Sequence, residues 1–150
     1  MSSNIEPYYL YAIETPLLGR VWNLVFSDSI TEAFKEGSEW HETFYELSEQ
    51  EHKGNIKKTE QFLENTKACV VPLVNSNRMY LILPKNASPE MIAHESFHLA
   101  LMICEFYDMK LNSTTEELYA RLIEWIVKTV NEYHKEVVSF EEECRIINGI

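Results

Sequence analysis

The sequence predicts an α+β fold in which a β-hairpin or small sheet packs on a buried helix and on a long C-terminal helix. Two apolar runs, 68–74 and 78–83, are separated by a polar stretch at 75–77 that is typical of a hairpin turn. Stretches with helical periodicity lie on both sides of this hairpin. A length of 150 residues is enough for one sizeable core, and no repeat or linker interrupts it. We therefore predict a single domain over residues 1–150.

The N-terminal half contains strand-like residues followed by helix-like residues. Residues 8–26 are aromatic and β-branched but are interrupted by Pro16 and Gly19, which favours two short strands or one strand and an irregular segment. Residues 29–65 are rich in glutamate and poor in β-branched residues. They predict two helices with polar outer faces, parted near Lys53 and Gly54.

The C-terminal half predicts two further helices. Ser88-Pro89-Glu90 is a helix start, because serine caps the N-terminus, proline fits the first position and an acid suits the first turn. This helix should run to about Asp108, and it is apolar nearly all round, so we expect it in the core. A last long helix is predicted over residues 115–138. Its predicted apolar face consists of Leu118, Leu122, Trp125, Ile126 and Tyr133.

Composition narrows the class of protein. The chain has 24 acidic against 13 basic residues and a net charge of −11, so it should repel nucleic acids and anionic membranes. No apolar stretch is long enough to span a membrane. The three cysteines form no C-x-x-C pair, and the N-terminus lacks the basic start and apolar run of a signal peptide. We therefore expect a cytoplasmic protein without disulfides.

The central helix carries the segment His94-Glu95-Ser96-Phe97-His98. Histidines four positions apart lie about 40° apart around a helix and about 6 Å apart along it, on one face. Two such imidazoles can bind one zinc ion at about 2.0–2.1 Å. Glu95 lies about 100° away around the helix, beside the metal, where it can accept a proton from a water on the zinc. The spacing thus predicts one Zn²⁺ site with Glu95 as the general base.

Two other interpretations of the histidines remain open. They could be core histidines with satisfied hydrogen bonds, or a stripe on the surface of a helix that is not buried. The uncharged neighbours and the predicted burial favour a metal site, because unpaired polar groups in a core cost several kcal/mol.

A zinc site that keeps one position open for water needs a third protein ligand. The start of the last helix offers Glu116, Glu117 and Glu124. Glu117 shares a face with Arg121 and Glu124, away from the apolar centre, so we favour Glu117 and keep Glu116 as the alternative. Glu124 could instead hydrogen-bond a ligand histidine.

Both favoured glutamates also have a purely structural interpretation. Ser113-x-x-Glu116 and Thr114-x-x-Glu117 each match a capping box. Catalysis further needs a donor to the oxyanion, and nothing in the sequence selects among the candidates. These candidates are Tyr119, Arg121, Tyr133 and His134. The exposed edge of residues 78–83 could bind an extended peptide by strand addition.

Together these residues resemble the zincin metallopeptidases, specifically the gluzincin branch typified by thermolysin, whose zinc ligands are two histidines and a glutamate. The segments "RMYLIL", "HESFH" and "EELYARLIEW" are similar to the edge strand, motif helix and ligand helix of that branch, in the same order. The resemblance covers about residues 78–130. Glu117-x-x-Ala120 is similar to the third-ligand helix of compact zincin-like proteins of phages and bacteria and of peptidases that cleave repressors of mobile elements.

The resemblance implies His94, His98 and Glu117 as zinc ligands and Glu95 as the base. It implies a zinc metallopeptidase that hydrolyses a peptide or protein substrate, and it gives no account of residues 1–67. An inactive zincin-like binding or regulatory protein that retains zinc is the alternative, because a small chain offers fewer walls for a substrate cleft. A third possibility is a zinc-free helical interaction module.

Overall fold

A computed structural model describes residues 8–16, 18–35, 38–73 and 76–149. The described part is α+β, as predicted, with a four-stranded mixed sheet and five helices. The elements are β1 (Tyr8–Glu14), β2 (Val21–Ser27), α1 (Ile30–Lys35), α2 (Ser38–His52), α3 (Ile56–Glu64), β3 (Cys69–Leu73), β4 (Arg78–Leu83), α4 (Pro89–Phe106) and α5 (Glu116–Asn148). The contacts divide the described residues into a sheet unit, 8–84, and a helical unit, 85–149. The single zincin-like domain stays a prediction.

The sheet unit has the strand order β1-β2-β4-β3. β1 pairs antiparallel with β2, which confirms two strands in residues 8–26, and β3 pairs antiparallel with β4 in the predicted hairpin. β2 and β4 form the central pair and are parallel, with Leu24 opposite Leu81. This parallel pairing joins segments far apart in the chain.

β4 is an interior strand, so the prediction that residues 78–83 offer a free edge to a peptide was wrong. One side of β4 pairs with β2 and the other with β3. The cause lies in its composition: residues 79–83 are all buried, and a strand buried on both faces reads as a continuous apolar run.

Three helices accompany the sheet where the sequence predicted two. The predicted break is confirmed, since Lys53 and Gly54 both have positive φ and the Asn55 side chain caps α3 by accepting from the Lys58 amide. The segment before that break is described as two helices, α1 and α2. One hydrophobic core cluster of this unit contains Val25, Ile30, Phe34, Phe44, Leu47, Leu63, Val71, Leu73, Tyr80 and Ile82.

In the helical unit, α4 starts where its sequence signal predicts. The Ser88 hydroxyl oxygen accepts from the Met91 amide at 3.1 Å, and Pro89 is the first helical residue. The expectation that this helix is buried all round was wrong. Its buried residues are Ile92, Glu95, Ser96, Leu99, Ala100, Ile103 and Cys104. They form one stripe, and the opposite stripe, which contains both motif histidines, is exposed.

α5 extends to Asn148, beyond the predicted end at residue 138, and ends at Gly149, whose φ is +70°. Its buried residues are Tyr119, Leu122, Ile126, Val130, Val137, Glu141 and Cys144. The predicted apolar face was therefore partly wrong: Leu118 is exposed, whereas Trp125 and Tyr133 are half-buried. Among the described helices, none combines the length and the apolar composition needed to cross a membrane.

The start of α5 does not use either predicted capping box. Thr115 is the N-cap residue and makes no side-chain cap hydrogen bond. The Asn112 carboxamide oxygen organises the preceding turn by accepting from the amides of Thr114 and Thr115. The Thr115 hydroxyl donates to the Lys110 carbonyl oxygen, so it is not directed at the helix N-terminus.

Candidate metal site

His94 and His98 lie side by side on the exposed face of α4. Their Nε2 atoms are 3.3 Å apart, and their ring centroids are 4.9 Å apart. The His94 side chain is 68% exposed, so this pair faces solvent. The spacing of four residues on a regular helix produces this contact, as the sequence predicts.

The separation of the two nitrogens fits a tetrahedral metal. Two nitrogens bound to zinc at about 2.0–2.1 Å and at a tetrahedral angle lie roughly 3.3–3.4 Å apart. The distance in the protein is 3.3 Å. The same distance also suits a hydrogen bond between two neutral imidazoles, one in each tautomeric form. The distance therefore suits both a shared metal ion and a direct hydrogen bond between the two rings.

Glu95 lies beside the pair, as predicted. Its Oε1 is 3.9 Å from Nε2 of His94, and the residue is only 9% exposed. Most of the side chain is thus held inside the protein while the carboxylate stays within reach of the His94 ring. A carboxylate in that position can exchange a proton with a molecule bound next to the two imidazoles.

The predicted third ligands are elsewhere. Glu116 and Glu117 are both exposed, and Oε1 of Glu117 accepts a hydrogen bond from Nε of Arg121 at 3.0 Å. Within the part of the chain that the structure describes, no group of three or more His, Cys, Asp or Glu side chains is gathered to hold a metal ion. The two histidines and Glu95 therefore lie next to one another on α4, whereas the role of Glu117 as a zinc ligand stays a prediction.

α4 and α5 pack as an antiparallel pair with two fixed points. Near the connection, the Tyr119 hydroxyl donates to the Met109 carbonyl oxygen at 2.7 Å and lies close to the Cys104 thiol. Burial is the main cause that raises the pKa of both the thiol and the phenol, so both stay neutral near pH 7. At the far end, His134 Nε2 lies 2.7 Å from the Lys85 carbonyl oxygen.

The sequence missed a buried charged cluster at that far end. Lys85 Nζ is 2.7 Å from Oε2 of Glu141, and both side chains are less than a tenth exposed. Arg145 approaches the other carboxylate oxygen at 3.6 Å. His134, which the sequence offers only as a candidate oxyanion donor, contacts the Lys85 carbonyl oxygen and is half-buried. One signal was available: Glu141 follows His134 by seven positions, two turns along one helix face.

The candidate oxyanion donors differ in availability. The Tyr119 hydroxyl and the Arg121 guanidinium already have the partners described above, and His134 contacts the Lys85 carbonyl. Tyr133 is half-buried. None of the four is directed toward the histidine pair by a described contact, so the donor stays unassigned.

Comparisons with protein families, with curated proteins and with solved structures give no match to this chain.

Proposed function

We propose that this protein is a zinc-dependent metallopeptidase in which His94 and His98 hold the metal and Glu95 is the general base. One observation carries the proposal. Two exposed imidazole nitrogens are 3.3 Å apart, the separation of two ligands on a tetrahedral zinc, and a largely buried carboxylate lies 3.9 Å from one of them.

When bound, zinc is a Lewis acid that makes water a better nucleophile and polarises the carbonyl of the scissile peptide bond. Glu95 accepts a proton from the attacking water and returns it to the leaving amine, so water and one peptide bond become a carboxylate and an amine. The burial of Glu95 restricts its side chain, which keeps the carboxylate beside the exposed histidines. The substrate is a peptide or protein, and the expected location is the cytoplasm.

A zinc-retaining binding or regulatory protein without activity is the second candidate. Two observations favour it. The histidine pair is exposed, and the expected third ligand, Glu117, pairs with Arg121 instead. In that case the metal would stabilise the protein or its complex with a partner.

Metal content is the first test. We expect the wild-type protein to hold about one zinc ion and the His94→Ala and His98→Ala variants to lose most of it. His41→Ala is the matched control, because His41 is an exposed histidine on α2, outside the motif. If the wild type holds no zinc after zinc is supplied, or if the motif variants hold as much as the control, the proposal is wrong.

Activity separates the two candidates. We expect the wild type to cleave members of a proteome-derived peptide library and Glu95→Gln to retain zinc but lose at least about 100-fold in rate, the usual size of a general-base contribution. New peptide ends would be counted by mass spectrometry. Zinc binding without any cleavage by the wild type would favour the second candidate. Equal cleavage by Glu95→Gln would refute the role of Glu95.

A further inference from the structure

We propose that this protein binds a second copy of itself through a basic stripe on α3 of one copy and an acidic stripe on α5 of the other. The basic stripe consists of Lys58 and Phe62. The acidic stripe consists of Glu136, Phe140, Glu143 and Ile147. This contact is independent of the proposed zinc site, because neither stripe contains a residue of the histidine motif on α4.

The α3 segment is a basic region in an acidic protein. Residues 53–67 contain four lysines and two glutamates, whereas the rest of the chain contains nine basic and 22 acidic residues. The two glutamates, Glu60 and Glu64, lie about 160° around α3 from Phe62, while Lys58 lies about 40° from it. The face of α3 that carries Phe62 is therefore positive, and it attracts an acidic surface.

A shallow groove beside Phe62 can receive an apolar side chain. The groove has a volume of about 350 Å³ and is lined by His52, Lys58, Gln61, Phe62, Asn65 and Thr66. The rings of His52 and Phe62 have their centroids 5.7 Å apart, and Phe62 is 43% exposed. Burial of this aromatic surface against a partner is favourable, because it removes apolar area from water.

The His52 side of the groove is held in one orientation. The buried Thr59 hydroxyl donates to the Asn55 carbonyl oxygen at 3.1 Å, so it accepts from Nδ1 of His52 at 2.8 Å. A ring that is fixed before binding loses little conformational freedom in the complex. A small ligand needs most of its surface enclosed, which a shallow groove does not provide, so a side chain presented by a protein surface is the better occupant.

The last part of α5 presents the complementary surface. Positions 136, 140, 143 and 147 lie within about 60° of one another around the helix and are occupied by Glu, Phe, Glu and Ile in turn. All four are exposed, and Phe140 and Ile147 are 40% and 70% exposed. Acidic and apolar side chains thus alternate along one stripe. A second copy can therefore supply both an apolar side chain for the groove and a carboxylate for Lys58.

Sedimentation velocity of the full-length protein tests the proposal. EDTA is present throughout, so that the exposed histidines cannot join two copies through a metal ion. We expect the mean sedimentation coefficient to rise between about 10 µM and about 1 mM protein, because a contact this small is weak. Sodium chloride at about 0.5 M should weaken the association, since salt screens exposed charges. A protein that stays monomeric over this range at low salt would overturn the proposal.

Substitutions on α3 test the basic stripe. We expect Lys58→Glu and Phe62→Ala each to weaken association at least about tenfold, the effect of a residue at the centre of an interface. Lys57→Glu is the matched control, because it makes the same charge change on the same helix about 140° away from Phe62. It should change the association constant by less than about twofold. Equal losses from the two lysine variants would overturn a specific contact through this stripe.

A charge exchange tests whether α5 is the partner. Glu143→Lys alone should weaken association, and its combination with Lys58→Glu should restore most of the wild-type association, because the pair then has opposite charges again. Glu142→Lys is the control, since Glu142 lies about 100° away around α5 from Glu143. It should not restore association to Lys58→Glu. If Glu143→Lys restores no more association than Glu142→Lys does, α5 is not the partner of α3 and the proposal is wrong.

Discussion

At the residue scale, Glu141 is a carboxylate that carries its charge inside the helical unit. It lies between the Lys85 ammonium at 2.7 Å and the Arg145 guanidinium at 3.6 Å. Removing such groups from water costs several kcal/mol for each ion, and the pair recovers this cost only while both partners are present. The backbone carbonyl oxygen of the same lysine also contacts Nε2 of His134. Two contacts therefore join the start of the helical unit to α5.

We predict that Glu141→Ala lowers the free energy of unfolding by about 3–5 kcal/mol, the usual cost of removing one partner of a buried ion pair. Urea unfolding at neutral pH, followed by circular dichroism, measures the change. Glu142→Ala is the control, because Glu142 is the exposed neighbour on the same helix and should change stability by less than about 0.5 kcal/mol. Equal losses in the two variants would show that the buried pair contributes nothing specific.

These residues also mark what could be inferred from the sequence. The His94 and His98 contact is local, because the helix itself brings positions four apart together, and the prediction of their proximity is confirmed. For Glu141 the only local signal is its position seven residues after His134, and this spacing does not name the partner of the carboxylate. Its partner Lys85 lies far away in the chain, so only the packing of α5 identifies the pair.

At the element scale, the two helices of the helical unit begin in different ways. α4 has a serine cap, a proline and an acid in its first turn, and each has the role that its sequence position predicts. α5 begins after a turn that Asn112 organises, and its N-cap residue makes no side-chain bond. Local sequence rules therefore predicted the start of α4 correctly but predicted the wrong cap for α5. The turn that Asn112 organises competes there with the capping box.

We predict that Ser88→Ala lowers the free energy of unfolding by about 1 kcal/mol, since the Met91 amide loses its cap. Ser113→Ala is the matched control: this serine was part of a predicted capping box and makes no cap bond, so the change should stay below about 0.5 kcal/mol. Thermal unfolding of both variants beside the wild type gives the comparison. A loss in Ser113→Ala as large as that in Ser88→Ala would mean that a capping box does form.

Strand pairing shows the limit of local rules for whole elements. The β3–β4 hairpin follows from two apolar runs and a short polar turn, and it is confirmed. The parallel partner of β4 is β2, from a distant part of the sequence, and this pairing makes β4 an interior strand. No periodicity within β4 states which strand it joins, although its continuous burial is typical of an interior position.

At the scale of the whole molecule, the residues proposed for zinc all belong to the helical unit. His94, Glu95 and His98 all lie on α4. The sheet unit contributes none of them. If the two units unfold in separate steps, a metal at this site will act on only one of those steps, because a ligand stabilises the state that binds it.

We predict that zinc raises the stability of the wild type by an amount that grows with its free concentration. The expected gain is about 2.7 kcal/mol at 100 times the dissociation constant and about 4.1 kcal/mol at 1,000 times, provided that the unfolded chain does not bind zinc. Thermal or urea unfolding at several buffered zinc concentrations gives the slope of stability against free zinc concentration. A chelator should reverse the gain in stability.

The His94→Ala and His41→Ala variants make this prediction specific. The first should lose the dependence on zinc, because one imidazole cannot provide the two-ligand geometry, while the second should keep the slope of the wild type. If two transitions are resolved, hydrogen exchange should assign the zinc-dependent one to residues 85–149. A zinc-dependent gain that persists in His94→Ala would place the metal elsewhere, and the paired imidazoles would then be only a hydrogen-bonded stripe on the surface of α4.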